Sequence, residues 1–403
     1  MTVPGGAPPP RGEDLRGSVW SVPGMVALAV VAFTGFSGYA ALLPVAPLWA
    51  VRGGADSAGA GLVNFVLLGA TVATQFAVPA LIRRVGWALT LSLALLLLGV
   101  PALLHILTDE LGVILALSAV RGVGFGILTV AASAAAVLLV DPARRGAAVG
   151  AYSLALAAPN VLLMPVGSWV AETWGFWIVF LLSGASLLGI PATVVLARHL
   201  PERATHDHRH PAVLEAPTGR ATLRVVLPPT LILLGITLAG GALITFAPQM
   251  VAVAWLATAG LFAFGLVSTL LRWRAGGLAD RLGSGRLLWA FVLVAVAGLL
   301  ALAWLTRDPV GTGALLLWLA GCALLGAAYG GLQTLTMIRA FEKAGPRRVG
   351  AASAIWNAGF DAGTATGSVL VGAVAVGWGF GVGMAITAGL VLLTLPIALR
   401  SRR

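Results

Sequence analysis

Charge is scarce in this 403-residue chain: Asp, Glu, Lys and Arg make up 10% of it, against about a quarter in soluble domains. Hydrophobic residues make up 59%, and the mean hydropathy is +0.99. This composition excludes a water-soluble globule and indicates an integral membrane protein. The net charge of +11 comes from basic residues spread over the ends of apolar runs. They form no single patch, so we expect no nucleic-acid partner.

Cysteine and lysine are nearly absent. Cys322 is the single cysteine, which excludes a disulfide within the chain and a Cys-based metal site. Lys343 is the single lysine, and no G-x-x-x-x-G-K-[ST] loop precedes it, so no ATP site is indicated. We expect no cofactor, and any transport would draw on an ion gradient or on the gradient of the substrate.

Long apolar runs are abundant. Crossing a bilayer takes about 20 residues, and we predict twelve spans, at 24–49, 59–81, 86–107, 111–139, 147–171, 176–197, 226–248, 251–271, 285–306, 312–338, 350–374 and 378–399. With both termini inside, all but three of the 25 basic residues fall on the cytoplasmic side, the exceptions being Arg52, Arg121 and Arg307. We therefore predict a multi-pass, all-α protein of the inner (plasma) membrane with cytoplasmic termini.

One long hydrophilic stretch, residues 198–224, divides the spans into two groups of six. We predict a cytoplasmic tail at 1–23, a six-helix half at 24–197, a cytoplasmic linker at 198–224, a second half at 225–399 and a tail at 400–403. The linker contains the run H-D-H-R-H at 206–210. Such a run is either a metal-binding tract or a set of solvated histidines, and its charged, proline-flanked surroundings favour the second.

Residues 276–286 read G-G-L-A-D-R-L-G-S-G-R between two apolar runs. Their glycines permit a tight reversal between two helices. The pattern resembles the signature loop of the major facilitator superfamily, G-x-L-A-D-R-x-G-R-[RK], which is matched here by Gly276, Leu278, Ala279, Asp280, Arg281 and Gly283. An ordinary polar turn is the alternative. The resemblance implies a twelve-span transporter fold, and bacterial drug and sugar efflux permeases are the most similar branch.

The resemblance also implies an inner gate. In this superfamily the signature loop of one half meets the other half near the start of span five, which here carries Arg144 and Arg145. We expect Asp280 to pair with this helix start, where a negative charge is favoured. The corresponding loop of the first half has Arg83 in place of the aspartate and Pro79 in place of the leading glycine, so the gate should be asymmetric.

The two halves repeat weakly. Residues 80–86 match 277–283 at an offset of 197, whereas 121–129 align with 325–333 and 146–153 with 350–357 at an offset of 204. The order of the three matches is the same in both halves. Two parallel repeats about an axis along the membrane normal are typical of this superfamily.

Arg121 lies about ten residues into predicted span four, about 15 Å deep at 1.5 Å per residue. An arginine at this depth costs at least a few kcal/mol unless it faces a wet cavity or an acid. With Leu117 and the following glycines it resembles the second motif of the superfamily, l-x-x-x-R-x-x-x-G. The alternative is a structural arginine bonded to backbone carbonyls.

Asp361 is the only carboxylate predicted near the bilayer midplane, and we expect no Glu, His or Lys in the spans to substitute for it. Burial favours the neutral acid, which suits a reversible proton carrier. Asn357 lies one turn before it on the same face. Small residues at 359, 363 and 367 permit close helix approach. Alternatively, Asp361 bonds a neighbouring helix and never titrates.

Seven further polar or aromatic residues inside the spans are candidates to line a substrate cavity, although each is also typical of helix–helix contacts: Tyr39, Asn64, Gln75, Tyr152, Asn160, Tyr329 and Gln333. We predict proton-coupled efflux of a small, partly apolar molecule by alternating access. Asp361 would carry the proton, and Arg121 would bias its titration or bind an anionic group.

Two other functions stay open at this stage. One is proton-coupled uptake, because the glycine-rich antiporter pattern is poorly matched in span five, where Pro159 and Pro165 stand among Ala and Met. The other, more remote, is a membrane-embedded transferase, which would need a catalytic cluster that only the linker offers. We expect a non-enzymatic monomer whose partners are the bilayer, protons and a small molecule, with no metal.

Overall fold

The computed structural model describes residues 18–140, 144–200, 220–305, 311–345 and 348–401, except the side chains of residues 145–147, 149, 220 and 280. This part of the chain is helical. Its α-helices are α1 Met25–Leu42, α2 Val45–Arg52, α3 Ser57–Gln75, α4 Val78–Leu104, α5 Leu111–Leu138, α6 Arg145–Thr173, α7 Phe176–Gly184, α8 Ile190–Ala197, α9 Arg220–Met250, α10 Ala254–Leu282, α11 Ser284–Leu305, α12 Thr312–Ala344, α13 Val349–Leu392 and α14 Leu395–Arg400.

Eleven helical stretches of the described chain are long and apolar enough to cross a membrane, which confirms an all-helical, multi-pass architecture. The last stretch, Val349–Arg400, has 52 residues. A continuous helix of that length would measure about 78 Å, more than twice the hydrocarbon thickness. Its backbone leaves the helical conformation at Gly379 (φ 78°), the second residue of predicted span twelve. The count of twelve spans stays a prediction.

The predicted chain reversal at residues 276–286 begins later than we expected. Helix α10 continues through Gly276 and Gly277, and the chain turns only at Gly283, whose φ is 87°. A helix inside a membrane keeps its own backbone hydrogen bonds, so a glycine ends it only where the chain adopts a positive φ. Predicted span eight therefore extends beyond residue 271, and Arg272 and Arg274, which we placed in the cytoplasm, lie within α10.

Two other predicted boundaries change. Span two was predicted to continue to residue 81, but α3 ends at Gln75 and α4 begins at Val78. Helix α9 begins at Arg220, so residues 220–224 of the predicted linker are helical. Residues 201–219, with the histidine run, lie outside the described residues, as does most of the predicted N-terminal tail.

Glycines mark the closest helix contacts, and these contacts recur along the chain. A Cβ on any of four glycines would strike the backbone of a neighbouring helix: Gly122 on Leu67, Gly126 on Thr71, Gly326 on Phe264 and Gly330 on Ser268. The first two contacts join α5 to α3, and the last two join α12 to α10. The glycines differ by 204 positions and their partners by 197, the same two offsets that relate the sequence halves.

The helix breaks recur in the same way. Gly86 interrupts α4 with a φ of 79°, and Gly283, 197 positions later, has a φ of 87°. Gly175 has a φ of 118°, and Gly379, 204 positions later, has a φ of 78°. Both members of this second pair stand in the tripeptide W-G-F, at 174–176 and 378–380, a repeat that our sequence comparison missed.

Helices before and after residues 201–219 pack against each other most extensively in two pairs, α3 with α13 and α6 with α10. Gly61 of α3 lies on the backbone of Ser368, and Gly372 of α13 lies on the backbone of Ser57. Both contacts are near the end of the bundle opposite the Gly283 turn, where the glycines let the two helices approach closely.

Candidate functional site

Asp361 lies twelve residues into α13 and is 6% exposed. Its Oδ2 accepts a hydrogen bond of 2.8 Å from Nε2 of Gln75, the last residue of α3. Gln75 precedes the linker and Asp361 follows it, so this bond joins the two groups of helices. The structure therefore brings together two of the residues that the sequence proposed separately.

Two tyrosines flank the carboxylate. Tyr39 of α1 and Tyr329 of α12 are buried and lie within electrostatic reach of Asp361. The ring of Tyr39 stacks on Phe125 with 3.7 Å between centroids, and that of Tyr329 packs against Phe264 at 5.0 Å. One tyrosine from each group of helices thus lies near the buried acid.

Gln333 lies one turn beyond Tyr329 on α12 and is buried. Neither atom of its amide forms a hydrogen bond of good geometry with a described residue, although the hydroxyl of Tyr329 is close enough to interact with it. Buried amides are normally satisfied, and a polar solute or water would supply the missing partners.

Arg121 is completely buried, ten residues after the start of α5, as the sequence predicted. Its Nη2 donates to the carbonyl oxygen of Gly38 at 3.3 Å, whereas Nε and Nη1 have no partner among the described residues. Within the described chain the one ion pair joins Arg339 and Glu342, so Arg121 does not pair with Asp361. Its contact is that of the structural alternative, an arginine bonded to backbone.

His105 was missed by the sequence analysis. It falls in predicted span three and is completely buried, with Nδ1 2.7 Å from the carbonyl oxygen of Pro101. Because a carbonyl only accepts, Nδ1 carries the proton and Nε2 of the neutral ring offers a lone pair, which accepts no hydrogen bond from a described residue. The expectation that no histidine in the spans could substitute for Asp361 stays a prediction.

The remaining cavity candidates divide into two kinds. The amide of Asn64 donates to the carbonyl oxygen of Leu43 at 3.0 Å and to Oγ1 of Thr245 at 2.9 Å, a second polar contact across the linker. By contrast, Asn160 donates only to Leu156 of its own helix, and Tyr152 is buried within α6.

Asn357 does not support the carboxylate. It is exposed, and its amide donates to the carbonyl oxygen of Ser353 at 2.8 Å rather than to Asp361. A backbone acceptor one turn earlier takes the amide instead, and the role of Asn357 in the proposed site stays a prediction.

The gate residues lie where two helices end and begin. Gly276, Asp280 and Arg281 belong to the last two turns of α10, and Gly283 ends that helix. Arg144 precedes α6, and Arg145 is its first residue. The side chains of Asp280 and Arg145 lie outside the described residues, so their pairing stays a prediction.

Arg272 is the second residue that the sequence analysis missed. It stands ten residues before the end of α10, and its side chain is accessible. Its guanidinium lies within electrostatic reach of Tyr329 and has no hydrogen bond or ion pair with any described residue. We had read it as a loop residue because it ends an apolar run. Over the described ranges, no group of three His, Cys, Asp or Glu residues is placed to hold a metal.

Membrane-length helices in two groups, with a buried carboxylate bonded between them, define the class of the protein: a helical membrane transporter. The family model of the Major Facilitator Superfamily matches residues 28–352, and the chain belongs to this superfamily. A search of curated protein sequences finds no match.

Solved transporters share the fold. A mutant of the nucleoside transporter NupG superposes with a TM-score of 0.75 at 11% identity, over 94% of this chain and 99% of that one. A bacterial homologue of the human lysosomal transporter Spinster, inward-facing and occupied, gives 0.70 at 16% identity, over 94% and 96%. At such identities the likeness shows the fold alone.

Proposed function

We propose that this protein is a proton-coupled secondary transporter that exports a small, partly apolar molecule by alternating access. The observation that carries the proposal is the hydrogen bond between Gln75 and Asp361. A buried carboxylate at the contact between two moving bodies is positioned to link protonation to their separation.

The moving bodies are two six-helix repeats, residues 24–197 and 225–399. Support comes from the glycine contacts and positive-φ glycines that recur at offsets of 197 and 204. Counting a helix on each side of Gly379 gives the twelve spans of this arrangement. We place both termini in the cytoplasm of a cell with this protein in its inner membrane. The protein acts as a monomer, because one chain supplies every proposed residue, and a dimer in light scattering would contradict this.

Protonation of Asp361 changes the strength of one contact, its hydrogen bond from Gln75. Hydrogen bonds to an ionised group are roughly twice as strong as neutral ones. When Asp361 takes up a proton, its bond from Gln75 loses the charge-assisted part, and the two halves separate more readily at this end. Release of the proton on the other side restores the carboxylate and the contact. Tyr39 and Tyr329, both within electrostatic reach of the acid, give the substrate path an aromatic lining.

The test is transport by proteoliposomes with and without a pH gradient, against lipophilic cations, sugars, nucleosides and metallophores. Asp361→Asn should abolish the response to the gradient, while exchange down the substrate gradient survives, because Asn keeps the size of the side chain and removes titration. Asp109→Asn, at an exposed carboxylate, is the matched control. If transport by the Asp361→Asn variant still responds fully to the pH gradient, Asp361 is not the proton carrier. If the substrate enters together with protons, the protein is an uptake system and not an exporter.

A further inference from the structure

Position 272 of α10 is the counterpart of position 75 of α3, because the contacts of these two helices repeat with an offset of 197. Gln75 reaches across to Asp361 of α13. The counterpart of Asp361 lies 204 positions earlier, at Ala157 of α6, the helix against which α10 packs. The second interface therefore has a cation where the first has an amide, and a methyl group where the first has a carboxylate.

The guanidinium of Arg272 is unpaired among the described residues and stands well back from the end of its helix. Ten residues of helix separate it from the end of α10, about 15 Å at 1.5 Å per residue. Arginines at such depth face a counter-ion or a water-filled space. No described residue pairs with it, its side chain is accessible, and it shares the neighbourhood of Tyr329 with Asp361. Arg272 and Asp361, on different helices, thus both act on Tyr329.

We propose that Arg272 forms an anion subsite and that the transported molecule is a small organic oxyanion with an apolar body. The planar guanidinium donates two parallel N–H groups to a carboxylate or phosphate group. Tyr329 lies beside the subsite and offers an aromatic face to the apolar part. At the interface of α3 with α13 the protein supplies the acid, Asp361. At the interface of α6 with α10 the bound substrate would supply it.

This inference rests on the proposed function, since it names the substrate class of the same site. The test is ligand binding to the purified protein in detergent, followed as the shift of its thermal unfolding midpoint. The probes are acid and amide pairs of increasing apolar size: acetate and acetamide, benzoate and benzamide, indole-3-acetate and indole-3-acetamide. Phenyl phosphate distinguishes a phosphate from a carboxylate.

We expect the wild-type protein to bind at least one anion more tightly than its neutral partner. Arg272→Gln should reduce this preference by about ten- to a hundredfold, the range of a hydrogen bond to a charged group. Arg272→Lys should retain part of it, because the charge remains and the planar fork is lost. Arg274→Gln is the matched control: it removes the same charge from the same helix two residues further on, where the guanidinium lies over the ring of Trp273 at 5.2 Å.

Equal or absent binding of anions and amides by the wild-type protein would overturn the proposal, as would a preference that survives Arg272→Gln. The measurement uses no gradient, so it is independent of proton coupling. Asp361→Asn should keep the anion preference while losing the response to pH. Coupled transport without an anion preference would leave the proposed function standing and remove only the subsite.

Discussion

In the proposed mechanism, the bond between Gln75 and Asp361 is the contact that changes during transport. A hydrogen bond to a charged group contributes about 1.5–3 kcal/mol, which is comparable to the free energies that couple two conformations of a protein. One side chain on each half is therefore sufficient to bias the balance between conformers.

Gln75→Leu should shift that balance towards conformers in which the Gly283 end of the bundle is open. Without the amide, the buried carboxylate is unsatisfied at a cost of about 1–3 kcal/mol, or about five- to 150-fold in population. Spin labels at Arg83 and Arg281, exposed positions on the two halves, would report the distance by pulsed resonance. Asn160→Leu removes an amide bonded only within its own helix, and an equal shift in that control would contradict the assignment.

For single residues, the sequence predicted which charged side chains are buried better than it predicted their bonding partners. Asp361 and Arg121 were recognisable because a lone charge inside a long apolar run is costly wherever that run folds. The partner of Asp361 is 286 positions away, and no local pattern specifies it. His105 and Arg272 were missed because each stands at the end of an apolar run, where a polar residue is typical of a loop.

Among the helices, α13 and α9 make the contact that the sequence anticipated most directly. Residues 359, 363 and 367 of α13 form a line of glycines, and a Cβ on them would strike Thr230, Leu234 and Leu238 of α9. The prediction that small residues at this spacing permit close approach is confirmed. The two helices should move as one body, because their backbones touch.

Gly363→Ala should destabilise the protein by about 1–3 kcal/mol, the usual cost of overpacking. The added Cβ would lie 2.6 Å from the carbonyl oxygen of Leu234. Gly389→Ala, on the same helix with open space around it, should be neutral or stabilise by up to about 1 kcal/mol through helix propensity. Thermal unfolding in detergent measures both changes, and equal midpoints for the two variants would show that the glycine contact is loose.

Helix existence was predictable, and helix ends were not. Apolar runs of spanning length dictate helices, because only a helix satisfies its own backbone in lipid. The same requirement carried α10 through Gly276 and Gly277, residues that we had taken for part of a turn. Sequence alone does not tell a helical glycine from one with a positive φ, and Gly283 differs from them only in its conformation.

For the whole molecule, the testable property is its orientation in the membrane, that is, which loops face the cytoplasm. Cys322 is completely buried, so single cysteines can be introduced into the natural chain. Cysteines replacing Arg209 and Arg348 should react with an impermeant maleimide only from the cytoplasmic side, and one replacing Asp109 only from outside, because basic residues favour the cytoplasmic loops. Labelling of residue 348 on intact cells would break the proposed topology.

The class of the molecule followed from composition, whereas its internal arrangement did not. Scarce charge and repeated apolar runs indicate a bundle of membrane helices before any contact is known. Which helices touch depends on surfaces that lipid and protein cover almost equally well, since apolar side chains gain little by leaving lipid for a neighbouring helix. The pairings of α3 with α13 and of α6 with α10 therefore required the structure.

In the proposed mechanism, α3 tilts against α13 about their glycine contact. Gly61 touches Ser368 near one end of α3, and Gln75 lies fourteen residues away at the other end, about 21 Å along the axis. A tilt of about 10° about that contact displaces Gln75 by about 4 Å at this lever length. That displacement exceeds the 2.8 Å span of its bond to Asp361, so a small rotation about this contact is enough to separate Gln75 from the carboxylate that we propose carries the proton.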